Sequence, residues 1–216
     1  MSVLIKGTLG LAATGTTAVG AAYDGGLFDR KAKIAISKLL QSFNPEKRLI
    51  TATEGSDPAW KETWKSYKTK YRGKSLDPFR VLSGTTMSVD EPAPSDFLSS
   101  CKNLLNVEVV DEKDDSYQLV LNYCTRLTLV SDWISDRGNE LVSQSDATVW
   151  KELWKKYKET GKNSWNLSEY NSYQEGQDAP ASFKKKCSDE SLAAQGNKYD
   201  SSVENIFLFC SKKKTS

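Results

Sequence analysis

The chain contains no histidine in 216 residues. That absence excludes every His-based general base, proton shuttle and catalytic triad. It also excludes His-ligated zinc and haem sites. A clear surplus of positive charge is missing as well: 30 Lys+Arg stand against 28 Asp+Glu, for a net charge of +2. Neutralising a phosphate backbone needs a basic excess. The basic residues are mostly lysine, which lacks arginine's bidentate fork, so no nucleic acid is expected as a partner. Neither G-x-G-x-x-G nor G-x-x-x-x-G-K-[ST] occurs, which removes the common phosphate-cradling loops. The closely spaced cysteine pairs of zinc sites are absent too. The sequence therefore points to no catalytic residue, no cofactor and no metal, and the protein is read as a non-enzyme.

The first part of the chain differs from the rest. Residues 7–23 read GTLGLAATGTTAVGAAY and carry no charge. As a helix this run would reach roughly 26 Å, near the lower limit for crossing a bilayer. Val3, Leu4 and Ile5 extend it if Lys6 snorkels. Small residues suit close helix packing in a membrane. Ala18 with Gly20, or Gly20 with Ala22, gives signal-peptidase spacing. Residues 1–32 are thus expected to be a signal peptide or membrane anchor, with membrane contact through 3–23; a flexible Gly/Ala tail is the alternative. Arg30, Lys31, Lys33 and Lys38 follow the run, and the positive-inside rule would keep the body of an anchored chain inside. Orientation stays open.

The rest of the chain repeats itself. DPAWKETWKSYK at 57–68 is echoed by DATVWKELWKKYK at 146–158. Trp60, Trp64 and Tyr67 match Trp150, Trp154 and Tyr157, each 90 positions on. APSDFLSSC at 93–101 is echoed by APASFKKKC at 179–187, which aligns Phe97 with Phe183 and Cys101 with Cys187, each 86 positions on. Cys124 and Cys210 keep that offset. The drop from 90 to 86 makes the intervening loop four residues longer in the first copy. A weaker echo, RLI at 48–50 against ELV at 140–142, precedes each copy.

Periodicity predicts helices. Trp60, Trp64, Tyr67 and Tyr71 fall at i, i+4, i+7 and i+11, one helical face. Asp57 with Pro58, and Asp146 in the second copy, are start signals. Tyr117, Val120, Leu121 and Cys124 repeat the spacing, as do Val203, Ile206, Phe207 and Cys210. Leu129 to Ile134 predicts a helix ending near Gly138, with a counterpart at Ile36, Leu39 and Leu40. The fold expected is mainly α: two tandem small helical repeats, 33–125 and 126–216, after the N-terminal segment. The matched aromatics, at helical spacing, are expected in the core. Between the Trp helix and the Ala-Pro helix lie more than 20 residues without clear period, either a short hidden element or a functional loop.

Both copies separate their cysteines by 23 positions. Disulfides Cys101–Cys124 and Cys187–Cys210 are expected, each contributing roughly 3 kcal/mol in the chain-entropy model. Four buried, reduced thiols are the alternative. Ser99–Lys102 and Ser182–Lys185 spell S-x-x-K, a spacing of Ser/Lys acylating enzymes that a Ser- and Lys-rich chain also produces by chance. Asn166-Leu167-Ser168 is a sequon in form, read as an exposed loop. The acidic run Asp111, Glu112, Asp114 and Asp115 lacks the glycine of an EF-hand loop and is read as a solvated turn.

An apolar Gly/Ala-rich start, WKETWKSYK at 60–68, WKELWKKYK at 150–158 and YCTR at 123–126 together resemble the large paralogous families of hypothetical proteins from haemotropic mycoplasmas. The resemblance implies a signal or membrane segment, many copies per genome, and a part in surface display or antigenic variation. It brings no activity, cofactor or catalytic residue. The expected function is a membrane-anchored or exported surface antigen or host-contact module, located at the cell surface, whose partner is a host-cell or membrane-surface protein. An intracellular membrane-associated scaffold is one alternative. A hydrolase working through carboxylate or Ser/Lys groups is another.

Overall fold

A computed structural model describes residues 32–83 and 91–215. The expected signal or anchor run, and the membrane contact through 3–23, lie outside the described residues. Among the described residues no helix is long and apolar enough to cross a membrane.

The described chain is mainly helical. Its first half runs β1 (Ile34–Ala35), α1 (Ile36–Phe43), β2 (Lys47–Leu49), α2 (Pro58–Tyr71), α3 (Ser95–Leu104), β3 (Glu108–Val109), α4 (Asp115–Tyr123) and β4 (Thr125–Leu127), which spans the expected boundary at 125/126 and belongs here through its pairing with β2. Its second half runs α5 (Val130–Asp136), β5 (Asn139–Leu141), α6 (Ala147–Glu159), a 3₁₀ turn at Ser168–Tyr170, α7 (Ala181–Ser191), α8 (Ser201–Phe209) and β6 (Ser211–Lys213).

Local chemistry sets the helix ends. The Asp57 carboxylate accepts the Ala59 N–H at 2.8 Å and Pro58 opens the first turn of α2. Asp114 caps α4 through Ser116, and Asp200 caps α8 through Ser202, both at 2.8 Å. The acidic run before α4 is thus a capping turn. α3 and α7 begin directly after Pro94 and Pro180. α5 stops at Arg137, before Gly138 with φ +74°, a left-handed position that glycine fills without strain.

The buried residues form two clusters, one drawn from Ile36 to Cys124 and the other from Val130 to Cys210. Their aromatic centres have nearly the same geometry. Trp60 meets Phe97 edge-on at 6.1 Å, and Trp150 meets Phe183 edge-on at 5.9 Å. Trp64–Phe97 and Trp154–Phe183 are both 5.0 Å apart. Tyr67 and Tyr157 complete the stripe at 5.3 and 5.4 Å from those phenylalanines. All eight side chains are buried, and burying each aromatic contributes on the order of 2–3 kcal/mol. The cysteines bridge the same pairs of helices: Cys101–Cys124 ties α3 to the end of α4, and Cys187–Cys210 ties α7 to the end of α8, with Cα atoms 5.5 Å apart in both.

Short β pairs close the halves. β2 pairs antiparallel with β4, and β5 with β6. β1 pairs with β3, a role taken in the second half by a single bridge between Leu129 and Ala194. Strands of two or three residues are too short to carry an alternating pattern, so periodicity does not find them.

The seam between the halves is polar. Register places Arg48 opposite Arg126, a like-charge pair that would destabilise the ladder alone. α5 neutralises both. Asp136 meets Arg48 at 2.5 Å, and Asp132 takes Arg126 in a bidentate grip at 2.6 and 2.8 Å. The Arg48 guanidinium also lies 4.6 Å from the centre of the Trp133 ring, within cation–π range. Thr128 adds an N–H to the Glu46 carbonyl at 2.9 Å and a hydroxyl to the Pro45 carbonyl at 2.7 Å.

Candidate binding groove beside the first disulfide

The loop after α2 is ordered by a tyrosine. The Tyr67 hydroxyl accepts the Phe79 N–H at 2.8 Å and donates to the Asp77 carboxylate. The Asp77 carboxylate also accepts the Leu82 N–H at 2.8 Å. The second half does the same with other residues: Tyr157 accepts the Trp165 N–H at 2.8 Å, and Asn163 accepts the Leu167 N–H at 2.8 Å. Arg80 and Asn166 follow the stacked aromatic in each loop, with φ of +57° and +52°. The four extra residues of the first copy lie between Tyr67 and Asp77, where α2 runs on to Tyr71.

Beside the first disulfide this packing leaves a groove of about 390 Å³. One wall is the outer face of α3, where Leu98 and Leu105 stand half-buried. The other is the end of β2 and the extended stretch after it, with Leu49, Ile50 and Ala52. Trp60, Cys101 and Cys124 contribute the buried floor. Two hydrogen bonds hold the extended wall: Ile50 N–H to the Cys124 carbonyl at 3.1 Å, and the Trp60 indole N–H to the Ala52 carbonyl at 2.8 Å. Thr51, Thr53, Ser99 and Lys102 form the exposed rim. Among the described residues no carboxylate lines the groove. It offers apolar surface, a few hydroxyls and one ammonium group.

The second half builds the same frame and finishes it differently. Val142 N–H donates to the Cys210 carbonyl at 3.0 Å, and the Trp150 indole donates to the Ser143 carbonyl at 2.8 Å. Where the first half has Leu98, the second has Lys184, whose ammonium lies 5.8 Å from the centre of the Trp150 ring. Where the first has Leu105, the second has Ser191, buried with its hydroxyl on the Ser188 carbonyl at 2.7 Å.

The structure brings the four cysteines together as two pairs. It buries the eight signature aromatics rather than exposing them as a platform. The S-x-x-K spacings assemble no site: Ser99 and Lys102 share the rim without a hydrogen bond between them, and Lys185 pairs with Asp189 at 2.6 Å. Asn166 and Ser168 of the sequon form are exposed. Titrations are displaced at caps and exposed ion pairs such as Asp200 and Lys155, in the packing, and at the seam. Burial, then the hydrogen bond to Asp77, pushes the Tyr67 hydroxyl up. Burial and the bond shared with Tyr71 push Tyr123 up to about 12. Burial pushes the Asp132 carboxyl up, but Arg126 and the Leu129 N–H outweigh it and hold it below its ordinary value. Among the described residues no cluster of three His, Cys, Asp or Glu is placed to hold a metal ion.

Leu98 and Leu105 were the missed signal. They do not match across the copies, so the repeat does not point to them. The mismatch itself, apolar in one copy and Lys or Ser in the other, marks the groove. No protein family, curated protein or solved structure matches the chain.

Proposed function

We propose that this protein is a non-enzymatic, exported or membrane-anchored module of two tandem copies of one helical unit. In this reading residues 33–125 and 126–216 are the copies, and they stand outside the membrane as a surface antigen or host-contact body. The observation that carries the reading is the pair of disulfides at matched positions, Cys101–Cys124 and Cys187–Cys210. Disulfides form and persist in oxidising compartments and are rare where thioredoxin and glutathione act. The recurring aromatic distances support the duplication. The uncharged run at 7–23 supports export or anchoring. The matched Trp, Tyr, Phe, Pro and Cys serve packing and crosslinking, and the matched Lys61/Lys151, Glu62/Glu152 and Lys65/Lys155 lie on the outer side of the same helices.

The test is protease treatment of intact cells, combined with alkylation of thiols at the moment of lysis. Display predicts that the body is digested from outside and that no cysteine is alkylated before reduction. A body that stays protected, with four alkylated thiols, refutes display and leaves an intracellular scaffold.

A further inference from the structure

We propose that the groove beside Cys101–Cys124 binds a free fatty acid, with the acyl chain along α3 and the carboxylate at Lys102. Location and ligand are separate questions, and the groove would hold this anion in any compartment. Its volume of about 390 Å³ falls within the about 300–1,000 Å³ typical of small-molecule sites. Its shape follows from its walls. Leu98 and Leu105 are two helical turns apart, roughly 10 Å, and they face an extended strand of backbone, so the space is a slot suited to a chain rather than a ring.

Charge selects the head group. Among the described residues Lys102 is the only charged one lining the groove, and none of them forms an ion pair with it. Ser99 lies one turn away on the same rim and offers a hydroxyl to the same carboxylate. An acyl anion meets both demands, apolar walls and a single cation at the edge.

The fold does not require this arrangement. With the same helices, the same disulfide and the same indole hydrogen bond, the second half lays Lys184 over Trp150 and turns Ser191 inward. Half-exposed leucines at 98 and 105 are therefore a feature of the first half alone, and exposed apolar surface collected in a concavity marks a binding site more often than chance.

The experiment uses the full oxidised chain and oleate below its micellar concentration, read by calorimetry and by quenching of tryptophan with a brominated stearate. One saturable site is expected, with quenching of Trp60 in its floor. Leu98→Lys and Leu105→Ser, which copy the second half, should each weaken binding by at least about tenfold while circular dichroism stays unchanged. Lys102→Ala should weaken oleate by about fivefold and leave its methyl ester unaffected, whereas Lys185→Ala should change neither. If Leu98→Lys does not fold, Leu105→Ser alone carries the test. Binding that survives the groove variants sits elsewhere, the run at 3–23 included, and overturns the proposal. So does saturable binding of an apolar peptide with none of oleate, which would put a protein segment in the groove.

Discussion

The ring of Phe79 lies stacked on that of Tyr67 at 4.9 Å, while its backbone N–H is held by the hydroxyl of the same tyrosine at 2.8 Å. Trp165 stands on Tyr157 in the same way, at 5.0 Å and 2.8 Å. One side chain thus serves core and loop together: its ring fills the centre of the helical cluster and its hydroxyl fixes a turn that has no regular structure. A loop that reads as aperiodic is anchored at its middle.

Tyr67→Phe keeps the ring and removes the hydroxyl. It leaves the buried Phe79 N–H without its partner, which costs about 1–3 kcal/mol. Urea unfolding followed by tryptophan fluorescence should show that loss, and Tyr157→Phe should show a similar one. A substitution without effect on either midpoint would mean that the loops are not held by these hydroxyls.

The helices were legible because aromatics recur at helical spacing, from Trp60 through Tyr71, and because Asp57 and Pro58 punctuate a start. The cysteine pairing was legible because both copies space it alike. The β pairs were not, since two or three residues carry no period and their partners, such as Leu49 and Thr125, are far apart in sequence. The loops were not, because their order comes from a tyrosine hydroxyl outside the segment. The seam was not, because Arg48, Trp133 and Asp136 have no repeat counterparts of their kind: Glu140 stands where Arg48 does. The groove lies where the two sequences differ, at Leu98 against Lys184 and Leu105 against Ser191, and matching positions do not point to it.

Alkaline pH should weaken the first half. Tyr67 and Tyr123 are both held above the ordinary tyrosine value, by burial first and then by hydrogen bonds to Asp77 and Tyr71. The native state therefore keeps these protons when the unfolded chain has lost them. Linkage makes the stability fully present below about pH 10 and declining as pH rises from there toward 12. Urea midpoints should stay level from pH 8 to about pH 10 and fall from there to pH 11, and Tyr123→Phe should flatten the fall. A constant midpoint up to pH 11 would contradict the assignment.

Gly55 marks a close approach of two segments. A Cβ built there would sit 1.9 Å from the Ala93 carbonyl oxygen, and Ala93 N–H donates to the Gly55 carbonyl at 2.9 Å. Gly55→Ala must push the two backbones apart and break that bond, for a loss of about 2–3 kcal/mol. Gly161→Ala is the comparison: its added methyl meets nothing within 4 Å, and only its φ of +68° resists, a cost of about 1 kcal/mol. Thermal unfolding should rank Gly55→Ala as the more damaging. The reverse ranking would show that the 55–93 contact yields easily.

Acid should loosen the seam before it unfolds the cores. Asp132 is held below its ordinary value despite its burial, through Arg126 and the Leu129 N–H. A lowered carboxyl supplies stability above about pH 4 and loses it as pH falls through the lowered value. Asp132→Asn should reproduce that loss at neutral pH, at about 1 kcal/mol once the partial exposure of both partners is allowed for. The expected signature is a split: calorimetry of the variant should resolve two unfolding transitions where the parent shows one. A single transition in both would mean that Thr128 and the Arg48–Trp133 stack hold the halves together without Arg126.

Removing one disulfide should act on one core. The two buried clusters share no residue, and each bridge lies wholly within its own cluster. Replacing Cys187 and Cys210 together by alanine frees a loop with a sequence separation of 23, and the unfolded second half gains chain entropy worth roughly 3 kcal/mol. Hydrogen exchange should then rise throughout 130–210, with the amides of 36–124 changed mainly near Glu46, whose carbonyl accepts the Thr128 N–H where the halves touch. Replacing Cys101 and Cys124 should give the mirror result. Equal loss of protection in both halves from either pair would mean that the seam, not the core, sets the cooperative unit; the chain would then fold as one body despite its two buried clusters.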